Sequence, residues 1–206
     1  MALLHEAEIH PRKDELIDPW LRTRPWWDGV VERGPAGSFR LDDPAGEVGI
    51  EAFLLGSANG STLFVPVTYR NAPLAGADGS LLGTIEHSLL GTRYVYDGAA
   101  DPVFVATVLD TIRSGGRQAE LVVRLADGTE LVREPAVTAR GAGEAAVPAH
   151  DPTRAVPFAD VADRTTVEGD GWTLTIMRRL GEAPEGAALT GRLEAGPDQC
   201  LAAVRF

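Results

Sequence analysis

Val48-Gly49-Ile50-Glu51-Ala52-Phe53-Leu54 and Leu63-Phe64-Val65-Pro66-Val67-Thr68-Tyr69-Arg70 decide how this chain is read. The first run alternates loosely. The second is dense in the β-branched and aromatic types that suit a pleated, half-buried surface. With a turn over Ser57 to Ser61 between them, they form a hairpin. Pro66 has no amide to give a ladder, so its strand is expected at a sheet edge or to carry a bulge.

Working outward, Asn71 to Ser80 reads as a loop. Leu81 to His87 and Thr92 to Tyr96 read as short strands joined at Leu90-Gly91, with a helix over Ile85 to Leu90 as the alternative. Asp101-Pro102 then opens a helix: Val103, Ala106, Leu109, Asp110 and Arg113 follow at helical spacing, and Gly115-Gly116 closes it. Toward the N-terminus, a short helix is expected to begin at Asp18-Pro19, Asp18 accepting from an early amide. Pro25 ends it, and Asp28-Gly29 makes a turn.

Past the long helix the texture is β again. Ala119 to Leu125 and Thr129 to Arg133 flank an Asp127-Gly128 turn. Alternation puts Leu121, Val123 and Leu125 on one face, Val122 and Arg124 on the other. Residues 139–153 read as a linker, and the last strands are Trp172 to Arg178, Ala188 to Leu193 and Cys200 to Phe206.

The chain has 206 residues, 44% of them apolar, and a net charge of −11. Such a chain can bury a core without metal or disulfide, as one large or two small domains. The acidic balance argues against a face that neutralises nucleic-acid phosphates. Of 19 basic residues only Lys13 is a lysine, so the ammonium that nucleotide-binding loops and Schiff-base enzymes need has no evident setting. The single cysteine, Cys200, excludes an internal disulfide. No run suits a membrane helix and the N-terminus lacks a secretion pattern, so a cytoplasmic protein that meets no membrane is expected.

Few motifs carry chemistry. Gly141-Ala142-Gly143-Glu144-Ala145-Ala146 meets the letter of a dinucleotide fingerprint, but Pro148 and Pro152 stop the helix it requires, which leaves an Ala/Gly-rich loop. The four histidines are scattered, and Glu86-His87 reads as structural because adjacent strand residues face opposite ways. No metal ligand set and no cofactor motif is present. Trp20, Trp26 and Trp27 could form a platform for a sugar ring, although core packing is the commoner use. Arg70 and Arg93 could each fork an anion, with pairing to surplus acids as the plainer reading. Asp101 as a helix cap and Asp97 in a turn account for that pair of carboxylates.

Taken together, W-L-x-x-R-P-W-W-x-G at Trp20 to Gly29, Gly46 to Glu51, Val65 to Arg70 and Y-V-Y-D-G-A-A-D-P at Tyr94 to Pro102 resemble the N-terminal cap of actinobacterial maltokinases and related aminosugar kinases. The resemblance covers about residues 1–115. It implies an α+β fold: a curved antiparallel sheet with flanking helices, cystatin-like, over residues 1–116. A β-rich, kinase small-lobe-like part over residues 117–206 would pack on it. Within the second part, Glu168 to Gly181 looks like the small-lobe strand that carries the nucleotide-binding lysine, and Thr175 stands at the lysine's place. A threonine cannot hold phosphates as an ammonium does. The sequence reaches Phe206 without an H-x-D catalytic loop, so the resemblance implies a cap-like protein without the catalytic lobe.

The expected function is therefore a non-catalytic binding or interaction module associated with maltose, trehalose, glycogen or aminosugar metabolism. Its partner would be another protein or a small carbohydrate. Trp20, Trp26, Trp27, Arg70, Tyr96, Asp97 and Asp101 are the ligand-binding candidates, with no catalytic residue, metal or cofactor. One alternative is a small carbohydrate enzyme using Glu51, Asp97 and Asp101 in the sheet cleft. Another is a small-molecule carrier with Trp26 or Trp27 at the mouth of an apolar pocket.

Overall fold

The computed structural model describes residues 2–5, 8–27, 29, 31–57, 60–124, 129–193 and 196–206. The first half contains β1 (Ala2–His5), β2 (Ile9–His10), α1 (Lys13–Leu21), β3 (Val31–Leu41), β4 (Gly49–Ser57) and β5 (Thr62–Arg70). It continues through β6 (Leu81–His87), β7 (Gly91–Asp97) and α2 (Pro102–Ser114). Then come β8 (Leu121–Arg124), β9 (Glu130–Arg133), β10 (Val137–Gly141) and β11 (Phe158–Val161). The last strands are β12 (Arg164–Gly169), β13 (Trp172–Met177), β14 (Ala187–Leu193) and β15 (Gln199–Arg205).

These strands form two six-stranded antiparallel sheets, ordered β2-β6-β7-β5-β4-β3 and β10-β14-β15-β13-β12-β11. A third, small sheet runs β1-β8-β9, with β1 parallel to β8. The fold is thus mostly β with two α-helices among the described residues, a more β-weighted architecture than the α+β expectation.

The decisive hairpin forms: β4 pairs with β5 from Gly49↔Tyr69 to Gly56↔Thr62. Period-two alternation sends Ile50, Ala52 and Leu54 to one face and Phe53 and Leu55 to the other, and all are buried. Each face therefore needs a cover. Ile17, Trp20 and Leu21 of α1, with Trp26, cover one. On the other, α2 and the second sheet close a core that includes Phe39, Phe64, Phe104, Leu109, Leu174, Ile176 and Leu201. Burying an apolar side chain of this size is worth about 1.5–3 kcal/mol, so the α2 stripe ties both sheets into one apolar mass.

Helix α2 follows its local signals. Asp101 caps it by accepting from the Val103 amide at 2.9 Å, Pro102 opens it, and Gly115 ends it at φ 68°. The strand reading holds through His87, and residues 88–90 form a turn in place of the alternative helix.

Three expectations are corrected. Helix α1 begins at Lys13, ahead of Asp18-Pro19, because Glu15 accepts from the Arg12 amide at 2.7 Å and fixes the first turn. Pro19 lies inside the helix, which ends at Leu21 before Pro25. The second correction concerns β5, which lies within its sheet, neither at an edge nor bulged at Pro66. Residues two apart direct their amides to the same edge. There the Phe64 amide donates to the Arg178 carbonyl at 3.0 Å, while pairing with β7 starts only at Val67↔Asp97. The amide that Pro66 lacks would face the gap between those two partners.

Third, residues 139–153 are no free linker: they start in β10, and Ala139 and Val147 are core residues. In β8, Val122 is buried with Leu121 and Val123 half-buried, in keeping with the alternation, and it is the Val122 face that turns inward. β11 and β12, unread in the sequence, pair across the Ala162 turn at φ 54°. The Asp127-Gly128 turn falls on residues outside the described set, and the Ser57 to Ser61 and Asp28-Gly29 turns fall on them in part.

Candidate functional site

Where the two halves meet, buried charged groups pair with one another. The Arg178 guanidinium, fully buried, donates to both carboxylate oxygens of Asp97 at 2.6 and 2.8 Å and to Thr165 Oγ1 at 2.6 Å. Its cation lies 5.2 Å from the centre of the Trp26 ring. Asp97 also accepts from the Ala99 amide at 3.2 Å. Beside it, Arg70 forks the buried Asp101 through two contacts of 2.7 Å, and this pairing raises the Arg70 pKa. Asp101 therefore caps α2 and Asp97 holds the turn after β7, as read, and each also neutralises an arginine.

The aromatic candidates are placed as packing. Trp20 and Trp26 meet edge to face at 5.7 Å within the α1-side core, where Trp27 also packs. The Tyr96 hydroxyl is buried and accepts from the Leu74 amide at 2.9 Å. His87 Nδ1 takes the amides of Leu89 and Leu90 at 3.3 and 3.2 Å, and Glu86 takes the Thr92 hydroxyl, which gives that dipeptide a turn-forming role. Gly141 and Gly143 wrap the end of α2, where the Gly143 amide donates to the Ile112 carbonyl at 2.8 Å. The glycine pair thus closes a helix end and cradles no pyrophosphate.

The sequence reading missed a cleft of about 780 Å³, lined among others by Lys13, Arg40, Glu51, Arg133, Glu134 and Arg192. The fold brings Lys13, at the first turn of α1, over the face of β4 that carries Glu51. The Lys13 ammonium donates to Glu51 Oε2 at 2.6 Å, Tyr69 donates to the same oxygen at 2.9 Å, and Arg40 stands 3.7 Å away. Lys13 also lies 5.7 Å from the centres of the Phe53 and Tyr69 rings. The sole lysine thus has a setting after all, as the counter-ion of a buried carboxylate. Only the Arg40-x₁₀-Glu51 approach of neighbouring strands hints at this in sequence.

Burial by itself pushes the Glu51 carboxyl up, but Lys13, Arg40 and the Tyr69 hydroxyl together hold its pKa below the ordinary value. Burial and the Glu51 charge raise the Tyr69 phenol well above its usual range. At neutral pH this pair is a carboxylate saturated with donors and a phenol that keeps its proton, an arrangement suited to holding charge.

Glu51, Asp97 and Asp101 are each engaged by a different cation, and no cluster of three metal-ligating side chains occurs among the described residues. Thr175 lies on β13 between Thr166 and Ala203. No described helix is long and apolar enough to cross a membrane.

Comparison with curated proteins gives no match. The maltokinase N-terminal cap domain family matches residues 20–101, from the end of α1 through β3, β4, β5, β6 and β7 to the cap of α2. The chain therefore carries a maltokinase cap-like domain over residues 20–101.

Proposed function

We propose that this protein is a non-catalytic interaction module of maltokinase-type sugar metabolism, working in the cytoplasm by docking to a partner protein or holding a small ligand. The observation that carries the reading is the cap-family match over residues 20–101. Thr175, at the position where the resembling kinase strand has its lysine, supports the absence of phosphotransfer, since a hydroxyl supplies no cation to α- and β-phosphates. The engagement of Glu51, Asp97 and Asp101 in separate ion pairs supports it as well, because a general base needs a free carboxylate within reach of substrate. In this reading the first half is the cystatin-like cap. Residues 117–206 form a kinase small-lobe-like part packed on it.

Incubating the purified protein with ATP, Mg²⁺ and a panel of maltose, trehalose, glucose and glucosamine tests the reading. No phosphorylated sugar above a protein-free blank is expected. Time-dependent product from any of these sugars would overturn it.

A further inference from the structure

The cleft beside Lys13 carries an excess of two positive charges, Lys13, Arg40, Arg133 and Arg192 against Glu51 and Glu134, in a chain whose net charge is −11. Surface composition alone would give such a concavity a negative balance. A concave, partly dry wall also focuses the field of the charges it collects.

The two carboxylates do not cancel that field evenly. Glu51 is consumed by Lys13 at 2.6 Å and by the Tyr69 hydroxyl, leaving Arg40 only a loose 3.7 Å approach. Arg133 has no ion pair among the described residues. Among the described residues Arg192 is held only by Asp198 at 3.8 Å, both side chains being more than half exposed. An exposed pair of that kind is worth about 0–1 kcal/mol, so a stronger anion displaces it readily. Three guanidinium groups thus face one cavity with their donors largely uncommitted.

We propose that this cleft binds a small organic phosphate, its phosphate group taken by Arg40, Arg133 and Arg192. Planar guanidinium forks grip two oxygens at once, and a phosphate monoester offers three oxygens and close to two negative charges at neutral pH. A monocarboxylate would leave part of the positive charge uncompensated. A volume of about 780 Å³ exceeds what inorganic phosphate fills and falls in the range of small-molecule sites. The rest of the lining suits a polar organic body: Ser38 and Thr138 offer hydroxyls, and Phe39, Leu121 and Pro135 offer apolar wall. The inference rests on this cavity and is independent of the phosphotransfer question, since a module with no kinase activity can hold a phosphate ester or lack one.

Titration calorimetry of the whole protein at 0.1 M salt tests it, with ribose 5-phosphate, inorganic phosphate, citrate and ribose as probes. Saturable binding of ribose 5-phosphate is expected, weaker binding of inorganic phosphate, and none of ribose. Arg133→Ala and Arg192→Ala each remove charge-assisted bonds from an exposed side chain and should weaken ribose 5-phosphate by about tenfold or more. Their thermal midpoints should stay at the parent value, which separates lost binding from lost folding. Absence of saturable binding, or affinity unchanged in both variants, overturns the proposal. Citrate binding as tightly as ribose 5-phosphate also overturns it, in favour of a polycarboxylate site.

Discussion

Arg178 shows how much a single side chain can hold. It is wholly buried, its charge is met among the described residues only by Asp97, and Asp97 belongs to the cap while Arg178 belongs to the other half. Removing one member of such a pair leaves an uncompensated charge in a poorly polar interior, which costs about 3–5 kcal/mol. Asp97→Ala is therefore expected to lower unfolding stability by that amount in urea titration, and Asp97→Asn by less, since the amide oxygen still accepts. Equal stability of Asp97→Ala and the parent protein would show that the pair contributes nothing net.

Glu51 makes a prediction about pH. Its folded pKa lies below the ordinary carboxylate value, so the unfolded chain takes up the proton first as pH falls. The stabilisation is present above the unfolded pKa of about 4.3 and fades as pH drops through the folded one. Glu51→Gln should flatten the acid limb of the stability curve below about pH 4.5, where the unfolded carboxylate begins to titrate. An acid limb as steep as the parent's would show that other carboxylates set it. Cys200 adds a third residue-scale outcome: burial raises its thiol pKa to about 11. Disulfide reagents at pH 8 are expected to label it rapidly only after unfolding.

Among elements, the two helices differ in how openly they are written. Everything that defines α2 is local: an aspartate cap, a proline at the first position, an apolar stripe and a glycine stop. Helix α1 is set by a Glu15 side chain reaching back to the Arg12 amide, a quieter signal that the Asp-Pro five residues into the helix masks. Proline in a helix interior is unfavourable by about 3 kcal/mol, and buried Ile17, Trp20 and Leu21 outweigh it through packing that no local rule reveals. The same holds for Pro66, legible as a missing donor but placed only by the gap between Arg178 and β7. Gly141 belongs to this scale as well. A Cβ there would lie 1.8 Å from the Thr111 carbonyl oxygen, and no neighbouring side chain can yield, because the clash is with backbone. Gly141→Ala should cost about 3 kcal/mol and lose exchange protection at the Gly143 amide. Gly76→Ala, strained at φ 77° but in open space, should cost only about 1–2 kcal/mol.

For the whole molecule, β1 to β3 went unread, whereas β4 to β7 were legible because alternation and turn chemistry are written along the chain. The assembly was not. Lys13 meets Glu51 across 38 residues and Asp97 meets Arg178 across 81, and neither separation leaves a periodic trace. The family motifs around Trp20 and Tyr94 pointed to the cap, whereas the cationic cleft, gathered from α1, β3, β9 and β14, could be assembled only in three dimensions. The shared core carries its own prediction. Far-UV dichroism, which reports both sheets, and tryptophan fluorescence should fall in one coincident urea transition. Two separated transitions would mean that the halves fold independently.

Helix α2 is fastened at its start by Arg70 through Asp101 and at its finish by the Gly143 amide on Ile112. A fragment cut after residue 116 would thus keep the helix's opening turn while stripping its closing carbonyl of a donor and baring Phe104 and Leu109 to water. Anyone trimming this protein to its cap for production should expect a sticky, clumping product unless a surrogate for the missing sheet is supplied.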